Sequence, residues 1–371
     1  MRGGRAPPRS STGTVERGAA RGLRGNGVGM NPKAIGIMST QHGLITRKQA
    51  VASGVSPKRI DRLVRQGDLV VVRRGVYAEA TFVAALTTDR SKRLLADRAA
   101  SLRISRPHVM SHDSAAYELD LPILRAARPM THVTRPGVVG SHLRFGVKHH
   151  LAPYAQHRVV EIGGIRVLGL ARTGLDIARE HGLRAGVVAI DSARRAGTTL
   201  AQLDAEIELM WSWPNVTVVR EAVELSDPDT DSIGETLTRE VVTELGFGRP
   251  QTQFGLSAGG CTAWCDLRLG RHLFEFDGKV KYQRVEDGGF ALASADDVIW
   301  REKLRQDWVC GFKLGMSRVV WDELFGAARA RTVERLRREY LDTCRLFGES
   351  IDDLTPFLTR GPRPRPGRRA A

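Results

Sequence analysis

A chain of 371 residues, 42% of them hydrophobic, is long enough to bury two or three separate cores. Its net charge of +16 favours a polyanionic partner, although residues 1–30 and 360–371 each carry +5 in Gly/Pro/Arg-rich tails expected to be disordered, which leaves +6 for the body. The N-terminus has no apolar leader core and no run of about 18 apolar residues occurs, so the sequence reads as a cytoplasmic protein with no membrane contact; Met30 is a second candidate for its first residue.

Residues 31–80 read as one compact unit. A helix over 34–42 ends near Gly43; Thr46 caps a second over 47–53, stopped by Gly54; Ser56 caps a third, with Pro57 at its first position, over 58–66 to Gly67. Two strands follow, 69–73 and 76–78, joined through Arg74-Gly75. Three helices and a hairpin in this order make a winged helix-turn-helix, whose third helix enters the major groove while the wing touches the backbone. Lys58, Arg59, Arg62 and Arg65 lie on the third helix and Arg73 and Arg74 on the wing, the expected contacts to double-stranded DNA. Ile60 and Leu63 face the core. The alternative is a solvated basic helix, or a winged helix that docks a protein.

The segment from Gly43 through Ile45-Thr46-Arg47, Ala50, Gly54-Val55 and Arg59 to Gly67-Asp68-Leu69 and Arg73-Arg74-Gly75-Val76-Tyr77-Ala78 resembles the N-terminal domain of AbiEi-type antitoxins of type IV toxin–antitoxin systems. The resemblance implies a winged helix that represses its own operon by binding promoter DNA, with a cognate toxin as a partner. Residues 81–215 form a middle α/β region resembling the middle part of actinobacterial, antitoxin-like proteins of the same group. Helices are expected from 112, over 171–178 and over 185–195, and strands at 130–134 and 164–168. The histidines here (His112, His132, His142, His149, His150, His157) lack the paired spacing on one helix face that a metal site requires.

Over 229–245 an amphipathic helix is expected, with Ser232 and Glu235 fitting a capping box and Leu237, Val241 and Leu245 apolar. Strands over 250–256, 263–269 and 273–276, a helix over 296–308 and a strand over 313–320 follow. Asp266 sits on one strand and Glu275 and Asp277 on or beside the next, across a turn at Leu269-Gly270. Side chains alternate along a strand, so Glu275 and Asp277 point one way and Phe274 and Phe276 the other, into a core. Such carboxylates, with waters and a substrate phosphate, fill the octahedral shell of Mg²⁺, with Mn²⁺ as a substitute, while Lys279 or Lys281 offsets charge on the phosphate. Trp264, Leu267, Leu269 and Leu273 make these strands largely buried, and buried carboxylates need partners or a metal. The alternative is that they are solvated strand-edge charges and that Glu235 is only a cap residue. Cys261 and Cys265 with His272 lack the second pair of a zinc site, and Cys310 and Cys344 complete a set too sparse for a disulfide scaffold.

The order helix, three strands, helix, strand over 226–326, with Glu235, Asp266, Glu275 and a nearby lysine, resembles the restriction-endonuclease-like PD-(D/E)xK fold, more closely its very-short-patch-repair (Vsr)-like branch. The resemblance implies a mixed sheet flanked by helices and a Mg²⁺-dependent DNA endonuclease, a hydrolase. Asp266 and Glu275 would then be metal ligands, Asp277 a further ligand or water-orienting base, and Glu235 a helix-borne ligand or orienter. The family's lysine would fall at 277, where this chain has Asp277. A C-terminal helix is expected over 327–358. The sequence thus reads as a multidomain α+β and α/β chain that is either a DNA-recruited nuclease or a non-catalytic antitoxin and autoregulator with a degenerate nuclease fold. An RNA-directed nuclease is a third reading, because basic tails do not distinguish the two nucleic acids.

Overall fold

The computed structural model describes residues 29–138, 140–278, 295–359 and 363. Residues 1–28, most of the basic C-terminal stretch, Lys279 and Lys281 lie outside them. The chain divides into two compact units, one within Met1–His108 and Thr131–Pro153, the other within Val109–Met130 and Tyr154–Ala371. Among the described residues no helix is long and apolar enough to cross a membrane.

In the first unit, α1 (Pro32–Thr40) starts at Asn31, whose side chain accepts from the Ala34 N–H. Next comes β1 (Leu44–Thr46). Thr46 and Gln49 cap α2 (Arg47–Ala52) reciprocally: Thr46 Oγ1 accepts from the Gln49 N–H at 3.2 Å, and Gln49 Oε1 from the Thr46 N–H at 2.9 Å. Ser56 Oγ accepts from the Arg59 N–H, Pro57 opens α3 (Pro57–Gln66), and Gly67 ends it in the left-handed conformation at φ 79°. Strands β2 (Leu69–Arg73) and β3 (Val76–Glu79) form the expected hairpin, and β1 pairs antiparallel with β3, giving the order β1-β3-β2. Met38, Ile45, Ala50, Ile60, Leu63, Leu69 and Tyr77 share its core. The helices and hairpin expected here form within two residues of their expected ends; β1 was not foreseen, because three residues are too few to display a period of two.

Two helices, α4 (Ala80–Ala84) and α5 (Asp89–Ser101), continue this unit. The chain then enters the second unit with β4 (Val109–Met110) and α6 (His112–Glu118) and returns for β5 (Thr131–Thr134), β6 (His142–Arg144) and β7 (Val147–His150). Within the first unit β7 lies between β6, antiparallel, and β5, parallel. The fully buried Asp97 of α5 accepts from Arg93 and, at 2.7 Å, from Thr131 Oγ1 on β5.

The second unit resumes with β8 (Val159–Ile162) and β9 (Ile165–Leu168); β9 pairs antiparallel with β8 and parallel with β4. A helical layer follows: α7 (Leu170–His181), α8 (Leu183–Arg195), α9 (Leu200–Ile207) and α10 (Val216–Leu225). Asp191 of α8, fully buried, accepts from the Asp227 N–H at 2.7 Å, Thr230 Oγ1 at 3.2 Å, Thr236 Oγ1 at 2.8 Å and Arg239 Nη2 at 2.7 Å, so it pins α11 (Ile233–Thr243) onto that layer. Strands β10 (Gln251–Ala258), β11 (Cys261–Leu269) and β12 (His272–Asp277) run antiparallel in turn; α12 (Ala295–Cys310) leads to β13 (Gly315–Val320), parallel to β12. The order β10-β11-β12-β13 makes this a mixed sheet, and α13 (Gly326–Phe347) closes the unit. Leu267, Leu269, Phe274 and Val319 pack with Leu237 and Val241 of α11 and Leu336 of α13, whereas Ala263, Cys265 and Leu273 pack with Val309 of α12.

α7 and α8 approach so closely at Gly186 that a Cβ there would lie 2.5 Å from Ala178 Cβ and 2.8 Å from its Cα. Alanine is the better helix former by about 1 kcal/mol. The contact is with backbone and cannot yield by a rotamer change, so Gly186→Ala is expected to destabilise the protein by about 1–3 kcal/mol net, read as a lower Tm. An unchanged or raised Tm would contradict this packing.

Candidate functional site

In the first unit the sequence-derived contacts sort into three groups. Lys58, Arg62 and Arg65 are all exposed and spaced i, i+4, i+7 on α3, while Ile60 and Leu63 are buried on its opposite face. Arg59 turns away from them, half-buried, and its Nε donates to the Gly29 carbonyl at 3.2 Å. On the hairpin Arg74 is exposed at the turn, where Gly75 takes φ 77°, and Arg73 is half-buried, donating to the Phe145 carbonyl. Burial, with Arg103 nearby, pulls Arg73 below the ordinary arginine pKa. The orientation of α3 is held by Arg47, whose guanidinium grips both oxygens of Asp61 at 2.7 and 3.1 Å and donates to Tyr77 Oη at 3.2 Å. The Asp61 hydrogen bond raises the Arg47 pKa, and the same bond holds the Asp61 carboxyl below its usual range. Asp61, the one acid on α3, is therefore engaged from α2, and the exposed cations of α3 form a face suited to phosphates and base edges.

The second unit brings the acidic residues onto one sheet. Pairing of β10 with β11 is interrupted at Gln253 and Asp266, between the pairs Thr252↔Leu267 and Phe254↔Cys265, and Gln253 has φ 50°. Both strands turn over at this point, which is why Leu267 and Cys265, two apart, pack on opposite faces. The β11–β12 ladder stops at Leu267↔Phe274, and Asp266 Oδ2 replaces the missing acceptor by taking the Phe276 N–H at 2.9 Å. Phe274 and Phe276 point toward α11, as expected; a Cβ on Gly234 would strike the Phe276 ring. Glu275 faces α12 and is buried; its Oε2 pairs with Arg305 Nη2 at 2.5 Å.

Arg305 also binds both Glu302 oxygens, at 2.7 and 3.1 Å, and the Trp264 carbonyl at 3.1 Å. Arg318, opposite Glu275 on β13, shares Glu302 at 2.7 Å and lies 3.9 Å from Asp277. Burial pulls Arg305 down, but its bonds to Glu302 and Glu275 win and raise its pKa; Glu302 is likewise penalised by burial and nevertheless lowered by Arg305 and Arg318. Glu275 and Asp277 thus belong to an arginine–carboxylate network while Asp266 is held by a backbone N–H, and among the described residues the three do not gather as ligands within reach of one ion. Glu235 is spent at the start of α11: its Oε2 accepts from the Asp231 N–H at 2.7 Å and Oε1 from Ser232 Oγ at 3.0 Å. That is one residue earlier than a capping box would place it. Arg305 and Arg318 were not singled out from sequence; the only local signal was the Glu302/Arg305 spacing of i, i+3 on a helix.

Cys261 is exposed while Cys265 is buried on the α12 face, and His272 belongs to the other face, where Thr343 Oγ1 and Ser317 Oγ hold its two nitrogens at 2.7 Å each. Burial lowers His272 to about 4, with Glu339 acting the other way. Among the histidines, His132 Nδ1 and His150 Nε2 are 3.0 Å apart and His142 stacks on His149 at 4.9 Å, all within the first unit.

Residues 39–80 match the model of a family described as a transcriptional regulator, AbiEi antitoxin. The matched stretch runs from the end of α1 through β3 and contains α3 and the hairpin. No curated protein matches the chain.

Removing Arg305 leaves buried Glu275 without its counter-charge, so Arg305→Ala is expected to cost on the order of 3 kcal/mol. Glu302→Ala, at a half-exposed site, is expected to cost clearly less; equal losses of Tm would contradict the pairing described. For His272 the folded pKa of about 4 lies below the unfolded value of 6.5, so only the unfolded chain gains the proton between these values and stability is lost as pH falls from 6.5 to 4. The full effect is about 3 kcal/mol, and His272→Gln is expected to flatten urea-unfolding stability across that window; an unchanged slope would contradict it.

Proposed function

We propose that the protein is a sequence-selective, double-stranded-DNA-binding transcriptional regulator of the antitoxin kind. The first unit is its winged helix: α3 enters the major groove, Lys58, Arg62 and Arg65 contact phosphates and base edges, and Arg74 at the β2–β3 turn touches the backbone. The carrying observation is the coincidence of the AbiEi-regulator match at residues 39–80 with an α3 whose exposed face is cationic and whose single acid is clamped by Arg47. The DNA site proposed is the protein's own upstream region and the protein partner a cognate toxin.

A second reading keeps the same DNA contact and adds Mg²⁺-dependent phosphodiester hydrolysis, with Mn²⁺ as a substitute, at Asp266, Glu275 and Asp277. It is favoured by the order helix, three strands, helix, strand, by the mixed sheet, and by a donor set made of hard carboxylate oxygens. Against it, Glu275 holds Arg305, so an ion would have to compete with a bound guanidinium. We therefore assign Glu275 and Asp277 to an arginine–carboxylate network and Asp266 to a backbone contact, in a non-catalytic sheet.

Arg62→Ala is expected to weaken binding to the upstream DNA about tenfold and to lower the salt slope of log K by about one. Plasmid incubated with Mg²⁺ or Mn²⁺ is expected to remain supercoiled. Nicking that disappears in both Asp266→Ala and Glu275→Ala would overturn the non-catalytic assignment in favour of the nuclease.

A further inference from the structure

The hairpin of β6 and β7 ends in a two-residue turn, Phe145-Gly146, with φ values of 51° and 72°. Positive φ at both positions is the type I′ pattern that suits a twisted hairpin, and asparagine, aspartate or glycine normally fills the first of them. A phenylalanine there is a poor choice for folding, since its Cβ opposes the left-handed conformation. Nor does Phe145 gain burial in exchange: it is 80% exposed, and Leu143 beside it is 61% exposed.

The tip is nevertheless held in place. Arg73, from the β2–β3 hairpin of the same unit, donates a hydrogen bond to the Phe145 carbonyl, and the Arg144 guanidinium lies 5.3 Å over the Phe145 ring. Arg103 comes within 3.7 Å of where a Cβ on Gly75 would stand, and Arg74 is exposed at that turn. An exposed aromatic ring with Arg144 over its face and Arg73 on its carbonyl, joined through Arg73 to a turn that carries Arg74 with Arg103 nearby, does not suit an apolar protein partner. It matches a polyanion with stackable, apolar faces.

We propose that the β6–β7 tip is a second DNA-contacting element beside the β2–β3 turn, inserting Phe145 as a wedge at a base step from the minor groove while Arg144 contacts the flanking phosphate. This rests on the DNA-binding reading of α3 and extends the recognised stretch past what α3 can reach. Arg73 acts as a positioning residue, because its hydrogen bond to the tip carbonyl fixes where the ring stands.

The test titrates a fluorescein-labelled duplex, covering the DNA immediately upstream of the protein's own coding sequence, with the full chain and its Phe145→Gly, Phe145→Trp, Arg144→Ala and Arg62→Ala variants. Glycine suits the turn, so Phe145→Gly is expected to keep or raise the Tm while weakening binding about tenfold without changing the salt slope. Phe145→Trp is expected to bind as the parent does. Arg144→Ala is expected to weaken binding and to lower the salt slope by about one. If Arg62→Ala weakens binding while Phe145→Gly and Arg144→Ala bind like the parent, the hairpin inference is overturned and the reading of α3 stands. If the parent does not bind the duplex, both fall together.

Discussion

Burial of charge is the constraint that organises this molecule. Asp97, Asp176 and Asp191 are all fully buried, and each is answered by an arginine: Arg93, Arg172 at 3.0 Å and Arg239 at 2.7 Å. Desolvation holds Asp176 and Asp191 above the usual carboxylate range, against the opposing pull of their arginines and of the hydrogen bonds around Asp191. Because breaking such a pair strands a charge in the interior, the Asp97 and Asp191 sites each fix a junction, α5 to β5 and α8 to α11, while the Arg172–Asp176 pair lies within α7. The Glu275–Arg305–Glu302–Arg318 network does the same between β12, α12 and β13.

The face of α3 departs from that rule. Among the described residues, no carboxylate pairs with Lys58, Arg62 or Arg74, and the one acid of α3, Asp61, is held by Arg47. A chain that neutralises its interior cations so consistently, and leaves these in water, presents a surface whose counter-charge comes from outside. The same comparison separates the two ends of the protein. In the C-terminal sheet the carboxylates that sequence suggested for a metal have arginine or backbone partners already, which is why we read that sheet as a scaffold.

How far the sequence was legible follows from the range of the interactions. Caps are local, so Thr46, Ser56, Pro57 and Gly67 announced α2 and α3 almost to the residue. Strand β6 was not foreseen because all three of its residues are exposed, and β7 reads Val147-Lys148-His149-His150, with no apolar alternation to betray it. The carboxylates Asp266, Glu275 and Asp277 were visible as residue types, but their partners were not: Arg305 lies 30 residues beyond Glu275 in sequence and reaches it only once α12 lies on the sheet. Lys279 and Lys281, considered from sequence as the missing lysine, fall outside the described residues. The reversal of faces at Gln253 and Asp266 defeats any argument from alternation carried along β11, since the irregularity lies in the backbone and not in the residue types.

The most direct measurement is a competition between the upstream duplex and an unrelated duplex of equal length for the full-length protein, at fixed salt near physiological strength. The account predicts at least about a thousandfold preference for the upstream duplex, the lower end of the usual gap between specific and non-specific binding. Equal affinities for the two duplexes would mean that the cations of α3 hold phosphate without reading sequence, and would contradict the assignment as a regulator.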